Sequence, residues 1–394
     1  MPIQEIKTNI FYTGTIDWDR RLFDELIPLP QGTSYNSYII KGSEKTALID
    51  STDPAKENEL IENLKTLGIE KIDYIVAHHG EQDHSGAIPK VLQAYPMAKV
   101  VTNQKCKDLL KVLLLVPEDK FIIVKDREII SLGNKTLEFI FVPWVHWPET
   151  MITYLKEDSI LFSCDFFGSH YASSELYVND EPKIYETSKR YFAEIMMPFR
   201  ANIKANLEKI KDLKIEIIAP SHGQVHKKPS FIIDAYKDWV SEEVKNEVVI
   251  PYVSMHGSTQ KMVDFFINAL IEKSIRVKPF NLSKTDIGEL AMSLVDAATI
   301  VIGSPTVLTG PHPLAAYAAL LANALRPKTK FVSLIGSFGW GGKMVEGITS
   351  LIPNLKAEVL SPVIIKGYPV QENFAELMRL AEDISLKHKE NNLK

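Results

Sequence analysis

Two rhythms of apolar residues divide this chain. In the first, strand-like runs come in neighbouring pairs: TSYNSYIIKG (33–42) with KTALIDST (45–52), and REIISLGNKTLEFIFVPW with MITYLKEDSILFSCDFF. Helical spacing interrupts them at AKENELIENLKTLG (55–68), IPKVLQAYP (88–96) and CKDLLKVLLL (106–115). Adjacent strands broken by helices predict sheets packed together with helices outside, an α/β sandwich. The character changes in DWVSEEVKNEVVI, and a regular alternation follows. Strands are expected in EVVIPYVSM, IRVKPFNLS, ATIVIGSPT, KFVSLIGSFG and EVLSPVIIKGYP, with helices at about 257–274, 286–296, 312–326, 343–356 and 373–390. That rhythm predicts a doubly wound parallel sheet with ligands at the carboxyl ends of its strands. Two domains are therefore expected, 1–246 and 247–394.

Composition narrows the function. With 394 residues, 45% hydrophobic, 24% charged and net charge −5, the chain has material for two cores and lacks the basic excess of a general nucleic-acid binder. The opening MPIQEIKTNIFY has no basic-then-apolar leader pattern, and no apolar run approaches the ~18–20 residues that span a bilayer. No membrane role is expected, and the default location is the cytoplasm. Two cysteines, Cys106 and Cys164, cannot build a four-thiolate centre, so a metal here must rest on His, Asp and Glu.

Those residues are concentrated at 78–86, HHGEQDHSG, directly after the apolar run IDYIVA. In extended backbone His79 and Glu81 point the same way. Asp83 and His84 should lie in a turn before a helix expected to begin near Ser85, reaching the same place from another side. Further donors stand where other apolar runs end: His146 in PWVHWPET, Asp165 in LFSCDFFG and His222 in IIAPSHGQV. A single histidine at a strand end more often only satisfies a hydrogen bond, and His78, His170 and His226 are read that way. Seven clustered donors are different, because burying them without a cation would cost heavily in desolvation and repulsion. Two adjoining ions are expected, with Asp165 well placed to bridge them. Trp144, Trp147, Phe166 and Phe167 are expected around the pocket, although Phe166 and Phe167 fit the core equally well.

The later domain carries a second pattern. Ser254-Met255-His256-Gly257-Ser258-Thr259 joins a strand to an amphipathic helix, placing hydroxyls and free amides at a helix start, where an anion binds. It is neither a G-x-x-x-x-G-K-[ST] loop nor a G-x-G-x-x-G loop. Two more loops follow strand ends: one holds Ser304, Pro305, Thr306, Leu308, Thr309 and Gly310, the other Ser337, Phe338, Gly339, Trp340 and Gly341. Trp340, flanked by glycines, offers a flat face to an aromatic ring system.

The first part of the chain resembles the metallo-β-lactamase fold, whose hydrolases carry H-x-H-x-D-H where this chain has His79-x-Glu81-x-Asp83-His84. Glu81 in place of the second histidine is the pattern of the flavodiiron proteins, which include rubredoxin:oxygen oxidoreductase and F420H2 oxidases, and the resemblance extends over nearly the whole chain. It implies a metallo-β-lactamase-like αββα sandwich followed by a flavodoxin-like domain. It also implies FMN at the three loops, one iron on His79, Glu81 and His146, another on Asp83, His84 and His222, and Asp165 between them. An added carboxylate favours iron over zinc. The implied activity is reduction of O2 to water or of NO to N2O. The implied electron donor is external, a rubredoxin or F420H2, since no fused donor module is expected. The implied assembly is a head-to-tail homodimer or a dimer of such dimers. A metallo-β-lactamase-like hydrolase with a flavodoxin appendage, and a flavin electron carrier with a vestigial metal site, are the alternatives.

Overall fold

The computed structural model describes residues 3–393. The chain forms two compact units: the chain to Tyr191 with Phe199–Val240, and Phe192–Pro198 with the chain from Ser241 on.

The first unit contains a seven-stranded and a five-stranded sheet. The larger runs Gln4–Lys7, Ile10–Tyr12, Tyr38–Lys41, Thr46–Ile49, Tyr74–Val76, Lys99–Thr102, Phe121–Ile123; the smaller runs Ile129–Ser131, Thr136–Phe141, Met151–Leu155, Ile160–Cys164, Ile217–Pro220. Period-two alternation sends each strand's side chains to two cores. Ile40, Ala47, Ile49, Val76 and Val101 pack with Leu137, Phe139, Met151 and Phe162 of the smaller sheet. Their neighbours Ile39, Leu48, Ile75 and Val100 pack against Leu60, Leu64, Val91 and Leu110 of the outer helices. Apolar runs that are buried on both faces mark strands of this kind.

The run expected as one strand over 33–42 breaks in two. Thr33–Tyr35 pairs with Thr15–Asp17, and Tyr38–Lys41 joins the large sheet. The break is made by Asn36, whose Nδ2 donates to the carbonyls of Pro220 and Gly223, both at 2.8 Å. Three helices not anticipated from the sequence, Glu181–Tyr191, Arg200–Ile210 and Pro229–Trp239, complete the unit.

In the second unit a parallel sheet runs Arg276–Asn281, Lys245–Tyr252, Ala297–Val307, Phe331–Phe338 and then Glu358–Val359, with Val363–Lys366 continuing along the same edge. This is the 2-1-3-4-5 order of flavodoxin-like folds, which bind at the switch between the first and third strands. The last strand is interrupted because Val332 faces Val359 whereas Ile335 faces Val363, leaving one extra residue where Pro362 has no N–H to give. The helix expected over 343–356 is only Met344–Thr349, ending ahead of Pro353. No helix among the described residues is long and apolar enough to cross a membrane.

Candidate metal centre and flavin cleft

The metal donors stand on the loops that leave one end of the sandwich. Past Tyr74–Val76, the His78 carbonyl accepts from Met151 N (3.0 Å), joining the two sheets just before the donors begin. The chain then turns sooner than expected. A single helical turn, Gln82–Ser85, starts after Glu81 and is closed by Ser85 N→Glu81 O (2.9 Å) and Gly86 N→Gln82 O (2.7 Å). Asp83 and His84 therefore project from a helix rather than from a turn ahead of one.

All seven expected donors are brought together, in two clusters. In the first, Glu81 Oε2 lies 3.1 Å from both His79 Nε2 and His146 Nε2. Asp165 Oδ2 is 3.6 and 3.7 Å from the same two nitrogens. In the second, Asp83 Oδ2 is 3.0 Å from His222 Nε2 and Asp83 Oδ1 is 3.4 Å from His84 Nε2. Asp165 Oδ1 faces this cluster, 2.9 Å from His84 Nε2 and 3.6 Å from His222 Nε2. One carboxylate thus shows an oxygen to each cluster. Both Asp83 oxygens, Asp165 Oδ2 and His84 Nε2 are buried without an aligned hydrogen bond. Their close approach without alignment is what lone pairs converging on a shared cation require, and so the residues fit a two-metal centre.

The second unit presents a cleft of about 190 Å³ at its switch point, lined by Ser254, Met255, His256, Ser258, Thr259, Pro305, Thr306, Ser337, Phe338, Gly339 and Gly367. Gly257 has φ +89°, with open space where a Cβ would stand, and gives helix Ser258–Glu272 no side-chain cap of its own; Ser254 Oγ accepts from Gln260 N (3.1 Å), which leaves the amides of Ser258 and Thr259 for an anion. These features fit the terminal phosphate of a flavin mononucleotide. Other expected contacts lie off the lining. Ser304 is buried, accepting from His312 N (3.0 Å) and donating to Pro305 O (2.8 Å). Gly310 pairs with Val307, and Thr309 O accepts from Lys343 N (2.7 Å). Gly341 is outside the lining as well, while Leu308 and Trp340 are 91% and 79% exposed.

The ODP family beta lactamase model matches residues 33–223. The nitric oxide reductase of Moorella thermoacetica is 35% identical over 364 residues, covering 90% of this chain and 91% of its own. The coenzyme F420H2 oxidase of Methanothermobacter marburgensis is 32% identical over 369 residues, 90% of each. The solved rubredoxin oxygen:oxidoreductase of Desulfovibrio gigas superposes with a TM-score of 0.94 at 27% identity, covering 98% of both chains. The chain belongs to the flavodiiron protein family. It is an oxidoreductase with a metallo-β-lactamase-like unit and a flavodoxin-like unit.

Electrostatics in this flavodiiron site follow from burial and pairing. Burial alone would raise the Asp165 carboxyl, but the His84, His79 and His146 imidazoles outweigh it and hold Asp165 well below the usual carboxylate range. Glu81 is lowered against the same burial by His146 and His79. Conversely, burial disfavours the imidazolium of His84, yet Asp165 and Asp83 push it up to about 10. His79 is raised in the same sense by Glu149 and Glu81.

The surroundings separate the aromatic residues. Trp147 meets His79 edge-on, with ring centroids 4.8 Å apart, and walls the site. Trp144 is 43% exposed and stacks on Phe199 instead. Phe166 and Phe167 stack on each other at 4.0 Å and pack against Tyr236, wholly in the core. His78 is held by Asp50 (2.8 Å) and Thr153 (2.6 Å). His170 meets the Thr33 hydroxyl at 2.8 Å with its ring against that of His222, and His226 lines a separate pocket with Phe231. Sequence reasoning missed Glu149, Tyr191 and Gly367. Glu149 stood in the same PWVHWPET segment as His146, and Gly367 in the G-Y-P turn after the last strand. Tyr191, whose hydroxyl donates to Asp165 Oδ1 (2.7 Å), gave no local signal.

Proposed function

We propose that this flavodiiron protein reduces dioxygen to water, nitric oxide to nitrous oxide, or both, with electrons from F420H2 or a reduced rubredoxin. The two irons and FMN supply the redox chemistry when bound. His79, Glu81 and His146 would hold one iron, Asp83, His84 and His222 the other, and Asp165 would serve both. The loops around Ser254–Thr259, Ser304–Gly310 and Ser337–Gly341 would hold FMN. The observation that carries this reading is Asp165, a buried carboxylate offering one oxygen to each of two complete donor clusters. Glu81 supports it: a carboxylate where hydrolases of this fold place an imidazole makes the site more anionic and suits iron. Trp147 walls the donors with an apolar ring, which suits a small apolar gas. The Tyr191 hydroxyl keeps a proton at Asp165 Oδ1. We further propose a head-to-tail homodimer, or a dimer of such dimers, in the cytoplasm. The names of the Moorella and Methanothermobacter relatives support NO and F420H2 respectively as substrate and donor.

The test is anaerobic stopped-flow on the iron- and FMN-loaded protein. Each donor should be tried for bleaching of the flavin, and each gas for restoring its colour. His79→Ala should keep the bleaching and lose gas consumption at least ~100-fold. A colourless protein with one zinc per chain that cleaves esters, or a flavin that bleaches and then ignores both gases, would overturn the proposal.

A further inference from the structure

We propose that Glu149 is a positioning residue that locks His79 into one tautomer and makes the two metal positions electronically unequal, an inference resting on the diiron reading above. Glu149 is 2% exposed. Its Oε1 accepts from His79 Nδ1 at 2.7 Å and from Gly80 N at 3.1 Å, while its backbone carbonyl accepts from Asn103 Nδ2 at 2.6 Å. Three hydrogen bonds therefore fix it from both ends. With the His79 proton held at Nδ1, the Nε2 lone pair is turned toward Glu81 and Asp165, and the carboxylate behind the ring makes that nitrogen more basic.

Among the described residues no carboxylate is hydrogen-bonded behind His84 or His222 in this way; the buried Asp50 acts on His84 through charge alone, both of its oxygens being hydrogen-bonded to His78. The Nδ1 of His222 donates to the neutral carbonyl of Ser34 (2.7 Å), and the oxygen of Asp165 that faces it gives up electron density to the Tyr191 hydroxyl (2.7 Å). The first position thus feels Glu81, the free Asp165 Oδ2 and, through His79, Glu149. The second feels Asp83, a tempered Asp165 Oδ1 and, at longer range, an Asp50 whose charge is taken up by His78. A trivalent ion gains more from surrounding negative charge than a divalent one. The position at His79, Glu81 and His146 should accordingly be the last iron reduced and the last released.

The experiment uses the full chain loaded with iron and FMN, with Glu149→Gln and Glu149→Ala. Iron release to a chelator is followed by absorbance, and the two iron potentials by redox titration with EPR of the half-reduced state. Wild type should release its irons in two phases. Glu149→Gln retains an oxygen for His79 Nδ1 but no charge. It should keep both irons, raise the lower of the two potentials and speed the slow phase ~10-fold, whereas Glu149→Ala should speed it ~10–100-fold. A merely structural residue would loosen both irons alike and leave the gap between the potentials unchanged, and that result overturns the proposal. Should Glu149→Gln fail to fold, judged by circular dichroism and FMN content, wild type decides: two-phase release upholds the inequality and single-phase release of both irons overturns it. Fewer than two irons in loaded wild type would instead overturn the diiron reading itself.

Discussion

At the scale of single residues, the centre is a charge problem solved in advance. His84 and His79 carry protons in the metal-free site because buried carboxylates pay for them, and each must give up its Nε2 proton to become a ligand. Adding zinc to metal-free protein at pH 7 should therefore release protons, about two per chain, as read by an indicator dye. Apparent affinity should climb with pH from the ordinary imidazole range up through about 10, where His84 loses its proton. The same pairs govern folding of the metal-free chain. The raised His84 contributes stability that is complete below its ordinary value near ~6.5 and is lost as pH climbs through about 10. Asp165 and Glu81, held low, contribute stability above the ordinary carboxylate range that fails on acidification. Urea midpoints of metal-free protein should thus form a plateau at intermediate pH and fall on both sides.

At the scale of elements, loops are pinned by partners distant in sequence. Asn36 interrupts one strand-like run in order to tie down the loop that carries His222, through Pro220 O and Gly223 O. Asn36→Ala would leave the buried Gly223 carbonyl without a donor, at about 1–3 kcal/mol, whereas the Pro220 carbonyl keeps the Tyr38 hydroxyl (2.6 Å). The expected outcome is a lower urea midpoint and reduced iron content, with FMN content unchanged. Period two alone could not reveal this break, because TSYNSYII reads as continuous β sequence and the partners of Asn36 lie 184 and 187 residues away. The short turn Gln82–Ser85 escaped notice for a related reason: one turn of helix leaves no periodic trace. Long periodic elements were legible, as in Ser258–Glu272 and Gln371–Glu390.

At the scale of the whole molecule, each unit has its own core and its own candidate site. Stripping iron with a chelator should abolish gas consumption while leaving the donor-driven bleaching of FMN within about two-fold, measured by anaerobic stopped-flow. Equal loss of both activities would show that the two sites cannot be treated separately.

Local residue chemistry was enough to indicate two α/β units, the Glu81-containing donor run and the hydroxyl-rich loop at Ser254–Thr259, because periodicity and clustered ligands are properties of neighbours in the chain. Only folding decided which oxygen of Asp165 faces which cluster, that Glu149 stands behind His79 and Tyr191 against Asp165, and that Trp144 leaves the site while Trp147 walls it. Those outcomes depend on segments far apart in the chain, 26 residues for Tyr191 and Asp165 and 70 for His79 and Glu149, meeting at one edge of a sandwich, a register set by packing rather than by adjacency.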